Sequence, residues 1–264
     1  MKTAKPTVRE TIRALVIRET PYGENAKMLT LLTENGLKKA SAHGARGIKG
    51  KSLSGVGLFT FSEFILDTRD EQSVVSEASP IETFYGIRED YDKITVASFL
   101  TEVVEALSVE GQGDGALLSL TLNTLYLLAG KSPDIPKLKA AFTFRALSVS
   151  GFCPDLSGCA VCGAENAKTM YLDTANGTLT CEKCFGEEPE VKTGEEYTGV
   201  IKALSPDVLA AMRYIVSAPA KRVFLFSLEK EETFALDRVS ETYLTEQLGR
   251  RFGTLRFYRG GSIG

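Results

Sequence analysis

The sequence predicts an α+β, multidomain chain: a small closed β-barrel, then a helical bundle with a cysteine-bearing ribbon inserted into it. Three observations carry this. The hydrophobic period is two from Thr7 to about Ala78, it turns helical after Ser79-Pro80, and two C-x-x-C pairs interrupt the helical part. The expected domains are a barrel over 1–80 and a helical domain over 81–264, interrupted by the ribbon over 153–185.

Taken in order, Thr11 to Arg18 is rich in β-branched residues and ends at the turn Thr20-Pro21-Tyr22-Gly23. Lys27 to Thr33 and Leu37 to His43 follow, joined through Asn35-Gly36, a strong hairpin signal. In the third strand Leu37, Lys39, Ser41 and His43 share one face, and Lys38, Ala40 and Ala42 the other. A loop rich in glycine and lysine runs from Gly44 to Gly55. Val56 to Asp67 and Gln72 to Ala78 complete five strands, turning at Thr68-Arg69-Asp70-Glu71. Five short strands with one long loop suit a barrel of the OB type. Beyond Pro80, Val96, Phe99, Leu100, Val103, Val104 and Leu107 recur at helical spacing. Leu117 to Leu128 is apolar nearly all round, which suits a central helix. Pro133 and Pro136 open a helix ending at Gly151, Ser205 caps the next, and a last helix carries Leu236, Val239, Tyr243, Leu248 and Phe252.

Cys159 and Cys162 form one pair, Cys181 and Cys184 the other, with 18 residues between them. Each C-x-x-C turns back on itself and offers two sulfurs to a corner of a tetrahedron, so the pattern is that of a closed structural zinc site with no open position for hydrolysis. Asn176-Gly177 between Met170-Tyr171-Leu172 and Thr178-Leu179-Thr180 reads as a two-residue hairpin joining the knuckles. The chain begins Met-Lys-Thr-Ala-Lys-Pro with no apolar run behind it, which favours a reducing compartment and zinc over disulfides. Cys153, six residues upstream of the first pair, is expected to be a buried free thiol.

Of 264 residues, 43% are hydrophobic and 25% charged, as in an ordinary globular protein, and no run approaches the roughly 18 apolar residues of a membrane span. The net charge of −3 hides a division: residues 1–54 carry eleven Lys or Arg against four Glu. That +7 leaves −10 on the remaining 210, separating a part suited to polyanions from one that repels them. Lys27, Lys38, Lys39 and His43 on the strands, with Arg46, Lys49 and Lys51 in the loop, are the candidate DNA-binding residues; Arg13 and Arg18 widen the patch, and Tyr22 is the best candidate for stacking on a base. Two alternatives stand beside this. Ala45-Arg-Gly-Ile-Lys-Gly-Lys-Ser52 satisfies a relaxed P-loop pattern and would make the chain an ATP-using enzyme, although two glycines and strand periodicity follow where a P-loop needs a helix. A zinc-ribbon module that binds only proteins is the other. With one histidine and neither H-E-x-x-H nor G-x-S-x-G, the sequence points away from catalysis.

The β-domain, the helices, the run Gly151-Phe-Cys-Pro-Asp-Leu-Ser-Gly-Cys-Ala-Val-Cys-Gly163 and the distal C-x-x-C together resemble the bacterial DNA repair and recombination mediator family RecO. Pro21-Tyr22-Gly23-Glu24, Gly44-Ala45-Arg46 and Leu248-Gly249-Arg250-Arg251 match it too, so the likeness covers nearly the whole chain. His43 departs from the lysine that the family often has before Gly-Ala-Arg, and some members lack the cysteines. The resemblance implies a cytoplasmic, nucleoid-associated bacterial protein that binds single- and double-stranded DNA and anneals strands. It also implies that, with RecR, the protein helps load RecA on DNA covered by single-stranded-DNA-binding protein. The acidic tail of that protein needs a basic, apolar pocket, for which Arg145, Lys221, Arg222, Arg250 and Arg251 are possible lining.

Overall fold

The computed structural model describes residues 6–43, 55–109, 111–187 and 199–258. The chain forms two compact units, Met1–Lys131 and Ser132–Gly264, so the first takes in two helices beyond the strand-to-helix change near residue 80.

In the first unit β1 (Val8–Tyr22), β2 (Ala26–Thr33), β3 (Gly36–His43), β4 (Phe61–Arg69) and β5 (Gln72–Glu82) close a barrel in the order β1-β2-β3-β5-β4. Its pairings are antiparallel except that of β3 with β5, which is parallel and consists of Ala40 with Ser73 and Ser41 with Val74. Alternate residues fill the interior: Ala14 and Val16, Leu29 and Leu31, Ala40 and Ala42, Phe64 and Leu66. β1 is long because it serves two neighbours, pairing with β4 through Leu15 and with β2 from Leu15 onward. A register shift between Val16 and Arg18 bends it there. The extra residue reverses the alternation, so that Arg18, Thr20 and Tyr22 point outward although Ala14 and Val16 point in.

The β2–β3 turn consists of Glu34 and Asn35, and Gly36 opens β3 at φ 88. A side chain there would collide with the carbonyl oxygens of Val109 and Gln112, so the hairpin seats closely on the segment that carries them. The expected strand from Val56 instead begins at Phe61. Before it, Val56 and Phe59 are buried, Phe59 has φ 62, and hydrogen bonds from Phe59 N to Val16 O (2.9 Å) and Val16 N to Thr60 O (3.0 Å) tie the segment to the barrel. Burial here comes in adjacent pairs, Gly55 with Val56 and Phe59 with Thr60, so the segment is a plug rather than a strand. Ala45–Ser52 lies outside the described residues, but turns and β4 stand where a P-loop requires its helix.

Two helices, α1 (Tyr91–Leu107) and α2 (Gly115–Leu128), pack on β1 and β2. Asp90 caps α1 by accepting from Lys93 N at 3.1 Å. Leu15 and Leu32 are paired in register, lie outside the barrel's interior cluster and are fully buried, which is the face these helices cover.

The second unit contains α3 (Ile135–Val149), β6 (Met170–Asp173), β7 (Thr178–Cys181), α4 (Glu182–Glu187), β8 (Ile201–Leu204), α5 (Pro206–Ser217) and α6 (Lys230–Leu248). Asp134 caps α3, and Ser205 caps α5 by accepting from Val208 N at 3.2 Å. α3 packs on α5 and α6. The last helix stops at Leu248 because Gly249 adopts φ 59, and Phe252 is buried beyond it. Between α3 and α6 the fully buried Lys139 meets Asp237 at 3.0 Å and also bonds Glu241, with its ammonium 4.9 Å from the Tyr258 ring centre. Among the described residues no helix is long and apolar enough to cross a membrane.

Candidate metal centre and nucleic-acid face

The ribbon is a three-stranded sheet in the order β7-β6-β8, so it takes in a strand beyond the expected 153–185. Its hairpin is longer than the sequence suggests. Asp173 pairs with Thr178, leaving a four-residue loop instead of a two-residue one. The Asp173 carboxylate imposes this by accepting from the backbone N–H of Ala175 and of Asn176, both at 3.0 Å, and from Asn176 Nδ2 at 2.8 Å.

Cys159 and Cys162 flank a tight knuckle in which Gly163 N donates to Cys159 O at 2.8 Å and Gly163 takes φ 73. Cys181 ends β7 and Cys184 sits in the first turn of α4, so the second pair is a strand-to-helix corner. Ala160 N donates to Leu179 O at 2.8 Å and brings the corners together. The four Sγ atoms lie within 4.8 Å of one another, with Cys162 and Cys181 at 3.8 Å. A regular tetrahedron with bonds of roughly 2.3 Å has edges of about 3.8 Å, so the thiols present fit a tetrahedral metal ion. Burial pushes the Cys159 thiol up, but hydrogen bonds with the backbone of Cys162, Cys181 and Val161 outweigh it and bring it down to about 6. Contacts with Cys162 and Cys181, then burial, hold Cys184 well above the usual thiol range.

Cys153 stands apart from the four and is exposed, not buried as expected. The segment from Cys153 to Ser157 alternates, burying Pro154 and Leu156 and turning Cys153, Asp155 and Ser157 outward.

The candidate DNA-binding residues divide. Lys39 and His43 stand on the outer face of β3 with Ser41 between them, and cross-strand register extends this face. Lys39 pairs with Thr30, which pairs with Arg18; His43 pairs with Ala26, which pairs with Tyr22. Arg18, Thr20, Tyr22, Lys39 and His43 are all exposed there, with Tyr22 at 51%. Tyr22 reaches this face only because of the β1 bulge.

Lys27 and Lys38 do not share it. Both have inward parity, and they pair four residues apart along β2, with Ala42 and Leu31 as partners, so they sit at opposite ends of the barrel, about 13 Å apart. Each is held by a carboxylate: Lys27 by Glu19 at 2.9 Å, Lys38 by Glu10. Glu10 also accepts from Thr68 at 3.3 Å, and a cavity of about 570 Å³ opens there among Glu10, Ile12, Glu34 and Lys38. Arg9 holds Asp67 bidentately at 2.7 and 2.9 Å; that hydrogen bond, then one from Ser76, lowers Asp67 to about 2. Arg13 pairs with Glu63 and Arg18 with Glu105. Among the described residues Lys39 has no carboxylate partner. Arg46, Lys49 and Lys51 lie outside the described residues. In the second unit Arg145 donates to the carbonyls of Ile215 and Val216 at the end of α5, while Lys221 and Arg222 remain exposed.

Residues 8–84 match the family described as Recombination protein O N terminal, and 88–256 the one described as Recombination protein O C terminal. Similar proteins include the DNA repair protein RecO of Acetivibrio thermocellus, 30% identical over 93% of this chain and 94% of that one. The DNA repair protein RecO of Pelotomaculum thermopropionicum is 31% identical over 92% and 91%, and that of Alkaliphilus metalliredigens 33% identical over 65% and 70%. With both halves of the family matched in order and relatives 30% and 31% identical over more than nine-tenths of its length, this chain belongs to the RecO family of DNA repair proteins.

Proposed function

We propose that the chain is a DNA-binding recombination mediator, not a catalyst, and that it gathers strands on the outer face of β1–β3. The observation that carries this is the register that sets Arg18, Tyr22, Lys39 and His43 on one exposed face. Lys39 neutralises phosphate and releases counterions, Tyr22 stacks on a base, and Arg46, Lys49 and Lys51 follow His43 in the chain as further cations. Lys27 and Lys38, already neutralised by Glu19 and Glu10, shape the barrel ends and contribute less to strand binding. Annealing follows from holding two strands against one basic face. In this reading the protein acts with RecR to assist RecA on strands covered by single-stranded-DNA-binding protein, and Lys221 and Arg222 are the better-exposed candidates for that protein's acidic tail.

Cys159, Cys162, Cys181 and Cys184 hold a structural zinc ion, which when bound cross-links the two knuckles of the ribbon. All four positions are taken by sulfur, so the ion stabilises the fold and leaves no place for a substrate.

Fluorescence anisotropy with a labelled single-stranded oligonucleotide, titrated at several salt concentrations, tests the face. Tyr22→Ala is expected to weaken binding by about 1–3 kcal/mol. Lys39→Ala should lower the log–log salt slope by about 0.7. Lys38→Ala should leave that slope nearly unchanged. A slope that falls for Lys38→Ala but not for Lys39→Ala would move the strand to the barrel end and overturn this assignment.

A further inference from the structure

The thiol cluster is not positioned by its own loops alone. Arg213, on α5, reaches the first knuckle and donates to four acceptors there. Its Nε donates to Leu156 O at 2.8 Å, Nη1 to Asn166 Oδ1 at 2.9 Å, and Nη2 to Glu165 O at 2.6 Å and Ser157 O at 3.4 Å. These acceptors bracket Cys159 and Cys162, two before the knuckle and two after it. One planar guanidinium therefore sets the width of the loop that carries both thiols. The opposite end of the ribbon is fixed from α6. Gln247 Nε2 donates to Thr174 O at 2.8 Å and Ala175 O at 2.9 Å, and Tyr243 Oη donates to Phe152 O at 3.2 Å. Tyr243 also packs on Gly177, where a Cβ would lie 2.8 Å from its hydroxyl.

We propose that Arg213 is a positioning residue for the metal centre, and that metal occupancy and the docking of α5 on the ribbon are one coupled equilibrium. This rests on the zinc reading above. With Arg213 in place the loop is held at the width that two sulfurs of one tetrahedron require, so little ordering remains to be done when the ion binds. Reciprocally, the bound ion fixes the four acceptors that hold Arg213, and α5 is secured by them.

The test uses the full-length chain and measures zinc affinity by competition with a chromophoric chelator, with Co2+ absorption reporting tetrahedral thiolate ligation. Arg213→Ala is expected to lose about 10- to 100-fold in affinity. Arg213→Lys should fall between, because an ammonium cannot fork to four acceptors, and the milder Asn166→Ala should weaken binding by less than Arg213→Ala. Leu209→Ala, a buried residue of the same helix away from these bonds, should lower the melting temperature but leave zinc affinity near that of the wild type. Wild-type affinity in both Arg213→Lys and Asn166→Ala, or an equal loss in Leu209→Ala, overturns the coupling while leaving the zinc site intact. A wild-type chain without a tetrahedral thiolate spectrum overturns the zinc reading itself, and the role of Arg213 with it.

Discussion

Cys159→Ser is expected to abolish tight zinc binding and to melt the ribbon, while the barrel of the first unit stays folded. Structural zinc in small domains has an apparent binding free energy of about 10–16 kcal/mol, much of which is folding free energy. Cys159 also anchors the knuckle through its carbonyl and its bridge to Leu179, so losing the ion releases the contact between the two corners. Metal content of the purified variant and the melting profile check the first part. With no tryptophan in the sequence, methyl NMR signals of Leu29 and Leu31 inside the barrel report the second. Acid should mimic the substitution in the wild type. The ion takes thiolates, and Cys184 is pushed up by its contacts with Cys162 and Cys181, so binding expels protons and affinity falls as pH falls. A chelator titration at pH 6 and pH 8 should show weaker zinc at pH 6.

The second large effect is at Lys139. Removing the fully buried ammonium leaves the buried Asp237 without its partner and facing the half-buried Glu241, and breaking a buried pair such as Lys139–Asp237 costs about 3–5 kcal/mol. Lys139→Met should therefore lower stability to urea by that order, whereas replacing Lys139, Asp237 and Glu241 together with apolar residues should recover most of it. Asp237 adds a pH signature. Burial raises its carboxyl to about 7 against the opposing pull of Lys139. A carboxyl raised in the folded state binds an extra proton there, so its contribution is fully present below about pH 4 and is lost as pH rises through 7. Asp237→Asn should flatten this decline. The penalty of Lys139→Met should grow from pH 6 to pH 8, since protonation spares the unpaired carboxyl at the lower value.

Much of this was legible beforehand because it depends on local pattern. The two-residue period, the hairpin signalled by Asn35-Gly36, the cap at Ser205 and the cysteine spacing each act within a few residues, although the turn itself falls one residue earlier, at Glu34-Asn35. What was not legible depends on register between distant segments. Lys38 and Glu10 are 28 residues apart, and only the barrel brings them together. The outward turn of Tyr22 hangs on a single inserted residue in β1. β8 joins the ribbon from beyond residue 200. The burial of Lys139 has no plain mark in the sequence, because a lysine on a helix ordinarily reads as solvated. A signal was nonetheless present: it shares a stripe with Phe142 and Ala146, and Asp237 and Glu241 stand four apart on α6. The run from Val56 reads as a strand because its spacing of apolar residues suits one, and the φ of Phe59 that makes it a plug has no mark in the sequence.

Among the described residues two pairs, Ala40 with Ser73 and Ser41 with Val74, make the whole parallel junction of the cylinder, whereas β1 and β4 are laced over eight. The cylinder thus has a zip line, and amide protons along it should exchange with solvent sooner than those in the other seams. Lys39 and His43 stand on the strand that borders that line, so their backbone is held on one side by the shortest seam of the cylinder.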